Sequence, residues 1–177
     1  KEIAIDPILM LPKEIVDFAT NLNRKLSGVI DGTYPKFESF DENNEGCFPH
    51  ITLAQGFIKQ KHKTKVEKIL AGILKNYQPL QLKITKAYSN KLTNGLIVVG
   101  LAVENTPKLQ ESHEEIMKKL ANLVHYKGDF TGFYKKRGRS DQINTISLDF
   151  VRNFEDTAFK NFNPHITIGL TRKPIKI

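Results

Sequence analysis

The chain contains one short sequence twice, Pro-His-Ile-Thr followed by an aliphatic residue. The first copy, F-P-H-I-T-L, places His50 two residues before Thr52, and the second copy, N-P-H-I-T-I, places His165 two residues before Thr167. Successive side chains of a β-strand point to opposite faces, so each copy presents an imidazole and a hydroxyl on one face. The two aliphatic residues of each copy point the other way, into a core.

Two imidazoles and two hydroxyls suit a displacement at phosphorus. Imidazole titrates near pH 6.5, so at near-neutral pH one histidine can accept a proton while the other donates one. The reaction needs a base to activate the incoming oxygen and an acid to protonate the leaving oxygen. Threonine hydroxyls can donate hydrogen bonds to the non-bridging oxygens and stabilise the charge that develops there. The motifs leave open which histidine is the base.

The composition agrees with an anionic substrate and with a packed protein. The formal net charge of +8 predicts a positive surface potential that attracts phosphates, nucleic acid or anionic membrane surfaces. Apolar residues make up 40% of the chain and charged residues 26%, which is typical of a soluble globular protein. The longest mainly apolar run, Gly95 to Val103, is far shorter than the roughly 20 residues of a membrane-spanning helix. We therefore expect no membrane partner.

The sequence contains a single cysteine, Cys47, which bears on the expected compartment and on metal binding. It cannot form an intramolecular disulfide, and no leader or membrane-spanning segment is evident, so we expect a cytoplasmic protein. A second cysteine and a histidine-rich ligand spacing are missing from the sequence, and a lone cysteine is usually a small apolar filler. We expect neither a metal nor a cofactor.

The apolar periodicity predicts strands and helices in both halves of the chain. The first half should hold a strand over 2–11 broken at Pro7, a helix over 13–27, a strand over 50–57, and a helix over 64–76 opened by a capping box from Thr64 to Glu67. The second half should hold a hairpin of 80–84 and 96–104, a helix from Pro107 to about His125, a loop over 127–142, a strand over 146–150, a turn or short helix over 153–162, and a strand over 164–170. In each half an apolar strand, a proline-started helix and a Pro-His-Ile-Thr strand follow one another, which suggests two related lobes.

The loop that includes Phe130 to Arg139 interleaves aromatic with basic residues, a combination that stacks bases and neutralises phosphates. Tyr134 and Arg139 are the substrate-binding candidates in it, and the alternative is a surface loop without a role. Weaker candidates for a base-stacking wall are Tyr34, Phe37, Phe40 and Tyr88. The other three histidines, His62, His113 and His125, fall in a solvated basic loop or on the long helix and are not site candidates.

The segments His50-Ile51-Thr52-Leu53 and His165-Ile166-Thr167-Ile168 resemble the paired His-x-Ser/Thr-x signatures of the two-histidine (2H) phosphoesterase superfamily. That superfamily includes 2′-5′ RNA ligase-like proteins and cyclic phosphodiesterases. The resemblance implies that residues 1–177 form one α+β bilobal domain, with lobes related by a pseudo-twofold axis, antiparallel sheets lining a central groove, and helices outside.

The same resemblance implies metal-independent hydrolysis or transfer at 2′,3′-cyclic or 2′,5′-linked phosphates of nucleotides or RNA. His50 and His165 would be the acid–base pair, and Thr52 and Thr167 would bind the phosphate. We expect a monomer. Two alternatives stay open: a module that binds RNA or nucleotide in the same groove without turnover, and a metallohydrolase that uses both motif histidines as ligands. The natural substrate and the direction of reaction are not determined by the sequence.

Overall fold

The computed structural model describes residues 1–29, 48–75, 77–92, 95–133 and 145–173. The strands in these ranges are β1 (Glu2–Ile5), β2 (Ile8–Met10), β3 (His50–Thr52), β4 (Gly56–Lys59), β5 (Ile84–Lys91), β6 (Ile97–Val103) and β7 (His165–Thr171). The helices are α1 (Lys13–Val29), α2 (Lys63–Leu74), α3 (Pro107–Leu120) and α4 (Thr145–Arg152), with 3-10 turns at Gln60–His62, Phe130–Gly132, Phe154–Thr157 and Phe159–Asn161. The mixed α+β content that the sequence predicts is confirmed.

The chain divides into two compact units. The first unit comprises Lys1–Ile8, Thr52–Gln81 and Asn105–Asn163, and the second comprises Leu9–Ile51, Leu82–Glu104 and Pro164–Ile177. The pseudo-twofold relation between two lobes stays a prediction.

The second unit is built around a three-stranded antiparallel sheet in the order β5-β6-β7. Helix α1 packs against β7, where its buried residues are Ala19, Thr20 and Asn23. The apolar side chains of β6 and β7 form the buried part of this sheet, with Leu101 opposite Ile166 in the register. Burial of these side chains is the main force that fixes the strand carrying the second motif.

The first unit contains the antiparallel pair β1–β4 and the helices α2, α3 and α4. Phe57 on β4 is fully buried, and it forms a cluster with Leu148 and Val151 of α4. Helix α3 begins at Pro107, as predicted, and its N-cap Thr106 accepts a hydrogen bond from the backbone N–H of Leu109. Threonine followed by proline therefore opens this helix, because the threonine oxygen satisfies a first-turn donor.

Several predicted elements differ from the structure. The strand predicted over 146–150 is helix α4, because the residues that bury are Leu148 and Val151, three apart, while Phe150 is exposed. The predicted strand over 50–57 is two strands, β3 and β4. Between them the backbone N–H of Leu53 donates a hydrogen bond to the Pro7 carbonyl. The segment over 146–150 is too short for the sequence period to decide between helix and strand.

Two predicted helix ends also differ. The capping box from Thr64 to Glu67 is not formed, because the 3-10 turn Gln60–His62 runs directly into α2 and leaves Thr64 inside the helix. Helix α3 ends at Leu120 rather than near His125. Beyond that end the chain turns so that His125 can exchange two backbone hydrogen bonds with Phe57, at 2.8 and 2.9 Å.

Candidate functional site

The first motif lies on β3, which pairs with β2. Ile51 is 1% exposed and Leu53 7%, whereas His50 and Thr52 are half-buried. Pro49, directly before the strand, is fully buried. The two aliphatic side chains therefore anchor the motif, and the imidazole and the hydroxyl share the other face, as the alternation predicts.

The second motif on β7 has the same burial at every corresponding position. Pro164 is fully buried, Ile166 is 1% and Ile168 2% exposed, and the histidine and threonine between them are half-buried. The structure thus places His165 and Thr167 side by side on one face of β7. His50, His165 and Thr167 belong to the second unit, and Thr52 is the first residue of a segment of the first unit.

The hydrogen bond of His50 fixes which ring nitrogen carries the proton. Its Nδ1 lies 2.8 Å from the carbonyl oxygen of Phe48. A carbonyl only accepts, so Nδ1 is the donor, and in the neutral ring the lone pair lies on Nε2. The Phe48 ring also contacts the imidazole edge to face, with ring centroids 5.7 Å apart. His50 is therefore held in the tautomer in which Nε2 can accept a proton.

The strands beside β7 place small residues next to the second motif. In the register, Ala102 of β6 lies opposite His165, and Gly100 lies opposite Thr167. Tyr88 of β5 lies opposite Gly100 on the far side of β6. Its ring nevertheless reaches His165, with ring centroids 6.2 Å apart and planes inclined by 75°. Burial raises the pKa of Tyr88 to about 12, so the phenol keeps its proton at neutral pH.

A β-bulge lies at Ile168, the last residue of the second motif. Gly100 of β6 pairs with Thr167 of β7, but the neighbouring Val99 pairs with Gly169. Ile168 is therefore an extra, unpaired residue on β7. The side-chain amide of Asn23 donates a hydrogen bond to the Ile168 carbonyl at 2.6 Å. Asn23 is 1% exposed. Helix α1 therefore supplies a buried donor to the backbone beside Thr167, the threonine of the second motif.

Sequence reasoning missed Asn23 and Gly100. The signal for Asn23 was present, since it lies four residues after Ala19 and seven after Val16, on the apolar stripe of α1. A polar residue in such a stripe indicates a buried hydrogen bond. Gly100 carried no comparable signal, because its role depends on which residue of another strand lies opposite.

The remaining predicted site residues lie outside the described residues. These are the substrate-binding candidates Tyr134 and Arg139 and the aromatic residues Tyr34, Phe37 and Phe40. Cys47, for which the sequence predicts no site role, also lies outside the described residues. In the described ranges, no group of three or more His, Cys, Asp or Glu side chains is arranged to hold a metal ion. Within the same ranges, no helix has both the length and the apolar character needed to cross a bilayer.

Comparison with known proteins identifies the family. The family model described as the 2'-5' RNA ligase superfamily matches residues 38–176, a stretch that contains both His-x-Thr motifs. The chain belongs to this superfamily, which is that of the 2H phosphoesterases, as the resemblance of the motifs implies. Membership implies phosphoesterase or RNA ligase-like activity and an RNA or nucleotide substrate. No curated protein matches the chain.

Proposed function

We propose that the protein is a metal-independent phosphoesterase that acts on 2′,3′-cyclic or 2′,5′-linked phosphodiesters of nucleotides or RNA. His50 and His165 are its acid–base pair. In hydrolysis, one imidazole takes a proton from water as the new P–O bond forms. The other gives a proton to the departing ribose oxygen as its P–O bond breaks. The net change is the addition of one water across the ester.

The observation that supports this proposal is the equivalence of the two motifs in burial. Each has a buried proline, two buried aliphatic residues, and a half-buried histidine and threonine on the opposite face. A histidine that only filled space would not require the same environment twice, with a hydroxyl beside it each time. The proposal requires both faces to border one groove, as the family resemblance implies.

The threonines and the net charge have their own parts in the proposed reaction. Thr52 and Thr167 donate hydrogen bonds to the non-bridging oxygens, where negative charge grows in the transition state. The formal net charge of +8 raises the local concentration of an anionic substrate. Tyr134 and Arg139 are proposed as further contacts, to a base and to a phosphate of the substrate.

The experiment that tests the proposal is a product assay with the purified protein. The substrates are the four 2′,3′-cyclic nucleotides and 2′,5′-linked oligoadenylates, each incubated with and without EDTA, and products are separated by chromatography. We expect at least one substrate to be opened or cleaved at the same rate in the presence of the chelator.

Two results would contradict the proposal and indicate a different function. Activity that EDTA removes and zinc restores would indicate a metallohydrolase that uses the motif histidines as ligands. Saturable binding of the same compounds without product, measured by calorimetry, would indicate an RNA- or nucleotide-binding module.

A further inference from the structure

We propose that Tyr88 is a positioning residue for His165, and that Gly100 provides the space in which the tyrosine ring lies. The inference deepens the proposed function and rests on it, because the orientation of His165 matters to turnover only if His165 transfers a proton. Tyr88 acts through the histidine, without a required contact to the substrate.

The register of the sheet places the three side chains on one face. Tyr88 pairs with Gly100, and Gly100 pairs with Thr167, which shares its face with His165. Side chains opposite each other in a sheet point to the same face, and a diagonal neighbour is within reach of an aromatic ring. Tyr88 can therefore extend over the middle strand toward His165.

The burial of β5 shows that Tyr88 does extend in this way. Its neighbours on this strand, Thr85, Lys86, Ala87, Ser89, Asn90 and Lys91, are all exposed, but Tyr88 is half-buried. Ile84, at the start of the strand, is also half-buried, and the partial burial of Tyr88 between exposed neighbours is explained by a ring that lies on the sheet. The Tyr88 ring packs against the His165 ring, with ring centroids 6.2 Å apart and ring planes inclined by 75°. This edge-to-face geometry is one that aromatic rings favour.

Gly100 is the residue that permits the arrangement. A Cβ atom built on Gly100 would lie 2.5 Å from the hydroxyl oxygen of Tyr88 and 2.6 Å from its Cζ. Both distances are too short for real atoms, so any side chain at position 100 would displace the phenol. A glycine inside a strand often marks such a close approach. Here it explains why a residue with low strand propensity lies in the middle strand.

The experiment compares kcat and KM for three variants. Tyr88→Leu removes the ring, Tyr88→Phe removes only the hydroxyl, and Gly100→Ala displaces the ring without changing Tyr88. We expect Tyr88→Leu and Gly100→Ala each to lower kcat about tenfold or more with KM within roughly threefold, because a misoriented proton donor or acceptor slows the chemical step. Tyr88→Phe should stay within about threefold of the wild-type kcat, because it keeps the ring contact.

Matched controls separate this effect from a general loss of folded protein. Tyr77→Leu removes a tyrosine in the first unit, and Gly72→Ala adds a methyl group where nothing lies within 4 Å. Neither control should change kcat. The readout specific to positioning is the proton NMR of the His165 ring, whose resonances should shift in Tyr88→Leu and Gly100→Ala as the ring current is lost, while those of His62 stay unchanged.

A wild-type kcat together with unchanged His165 resonances in Tyr88→Leu would overturn the inference. If that variant does not fold, the same result in Gly100→Ala overturns it. His165→Ala distinguishes this failure from failure of the proposed function. An inactive His165→Ala beside a fully active Tyr88→Leu refutes the positioning role alone. A fully active His165→Ala refutes the proposed function and the inference with it.

Discussion

The backbone N–H of Phe159 donates a hydrogen bond to Nε2 of His113 at 2.8 Å. Nδ1 of the same ring lies 2.7 Å from the carbonyl oxygen of Leu53, so Nδ1 carries the proton and the imidazole is neutral. Phe162 stacks on the ring, with centroids 3.9 Å apart. Leu53 follows Thr52, and Phe162 precedes His165 by three residues. His113 thus joins the segment after the first motif to the segment before the second.

Replacing His113 by Ala should destabilise the protein strongly. His113 is fully buried, and the change leaves a cavity as well as the Leu53 carbonyl and the Phe159 N–H without their partner. A buried group without its partner costs about 1–3 kcal/mol, the part-buried Phe159 N–H costs less, and the cavity adds its own cost, so we expect a loss of roughly 3 kcal/mol or more in the free energy of unfolding. Urea denaturation measures it. His62→Ala is the matched control, within about 0.5 kcal/mol of wild type, and an equally small loss for His113→Ala would contradict the role of the ring.

The stability of the protein should fall as the pH drops below about 6.5. Burial lowers the pKa of His113, which is then below its value in the unfolded chain. Above the unfolded pKa the ring is neutral in both states and the stability is complete. As the pH falls toward the folded pKa, only the unfolded state takes up the proton, and stability is lost. Urea midpoints at several pH values between 7.5 and 5 measure the effect.

The carboxyl groups with shifted pKa values affect the stability in a lower pH range than His113 does. Hydrogen bonds from Lys118 to Glu114 and from Thr131 to Asp129 lower the pKa of each carboxyl. Their contribution is lost only below about pH 4.5, where carboxyls of the unfolded chain protonate. A stability that stays constant between pH 7.5 and 5 would contradict the neutral state of buried His113.

Gly128→Ala should destabilise the first unit. A Cβ atom at Gly128 would overlap Cδ1 and Cγ of Phe57, the fully buried ring of the β4–α4 cluster. Overpacking of this kind costs about 1–3 kcal/mol. Gly72→Ala is the matched control, because it adds the same methyl group to open space in helix α2 and should stabilise by up to about 1 kcal/mol. Thermal or urea unfolding of both variants checks the sign, and a stabilised Gly128→Ala would contradict the packing.

Asn23→Ala should lower both the stability of the protein and its kcat/KM. The Ile168 carbonyl at the β-bulge loses its 2.6 Å donor from α1, which costs about 1–3 kcal/mol for a buried acceptor. Because Thr167 precedes Ile168, we also expect a lower kcat/KM for the cyclic phosphate. The matched control is Asn161→Ala, which removes an exposed asparagine bonded to the Asp156 carbonyl. Equal stabilities for the two variants would exclude this role of Asn23.

The sequence carried the two motifs and much of the element order, because both depend on local periodicity. Alternation alone placed His50 and Thr52 on the face opposite Ile51, and the burial of these residues agrees. The same reasoning was wrong for α4, because a run of eight residues with apolar positions 146, 148, 150 and 151 fits either period. Only tertiary packing against Phe57 decides that Leu148 and Val151 are the inward pair.

The parts of the site that the sequence did not reveal depend on register. The sequence suggests Tyr88 as a weak candidate for base stacking, but its contact with His165 depends on which residue of β6 lies between them. That residue is Gly100, which lies on the strand after Tyr88 but far from His165 in sequence. The role of His113 likewise depends on three segments that meet only in the folded chain.

His50 and His165 are proposed to transfer the two protons of one reaction, and this role is measured by the kcat of single alanine variants. Wild type, His50→Ala, His165→Ala and the control His62→Ala are assayed on the same 2′,3′-cyclic nucleotide at saturating substrate, with circular dichroism to confirm folding. We expect each motif variant to lose about 10²–10⁴ in kcat, and His62→Ala to match wild type. Full activity in either folded motif variant would contradict the account.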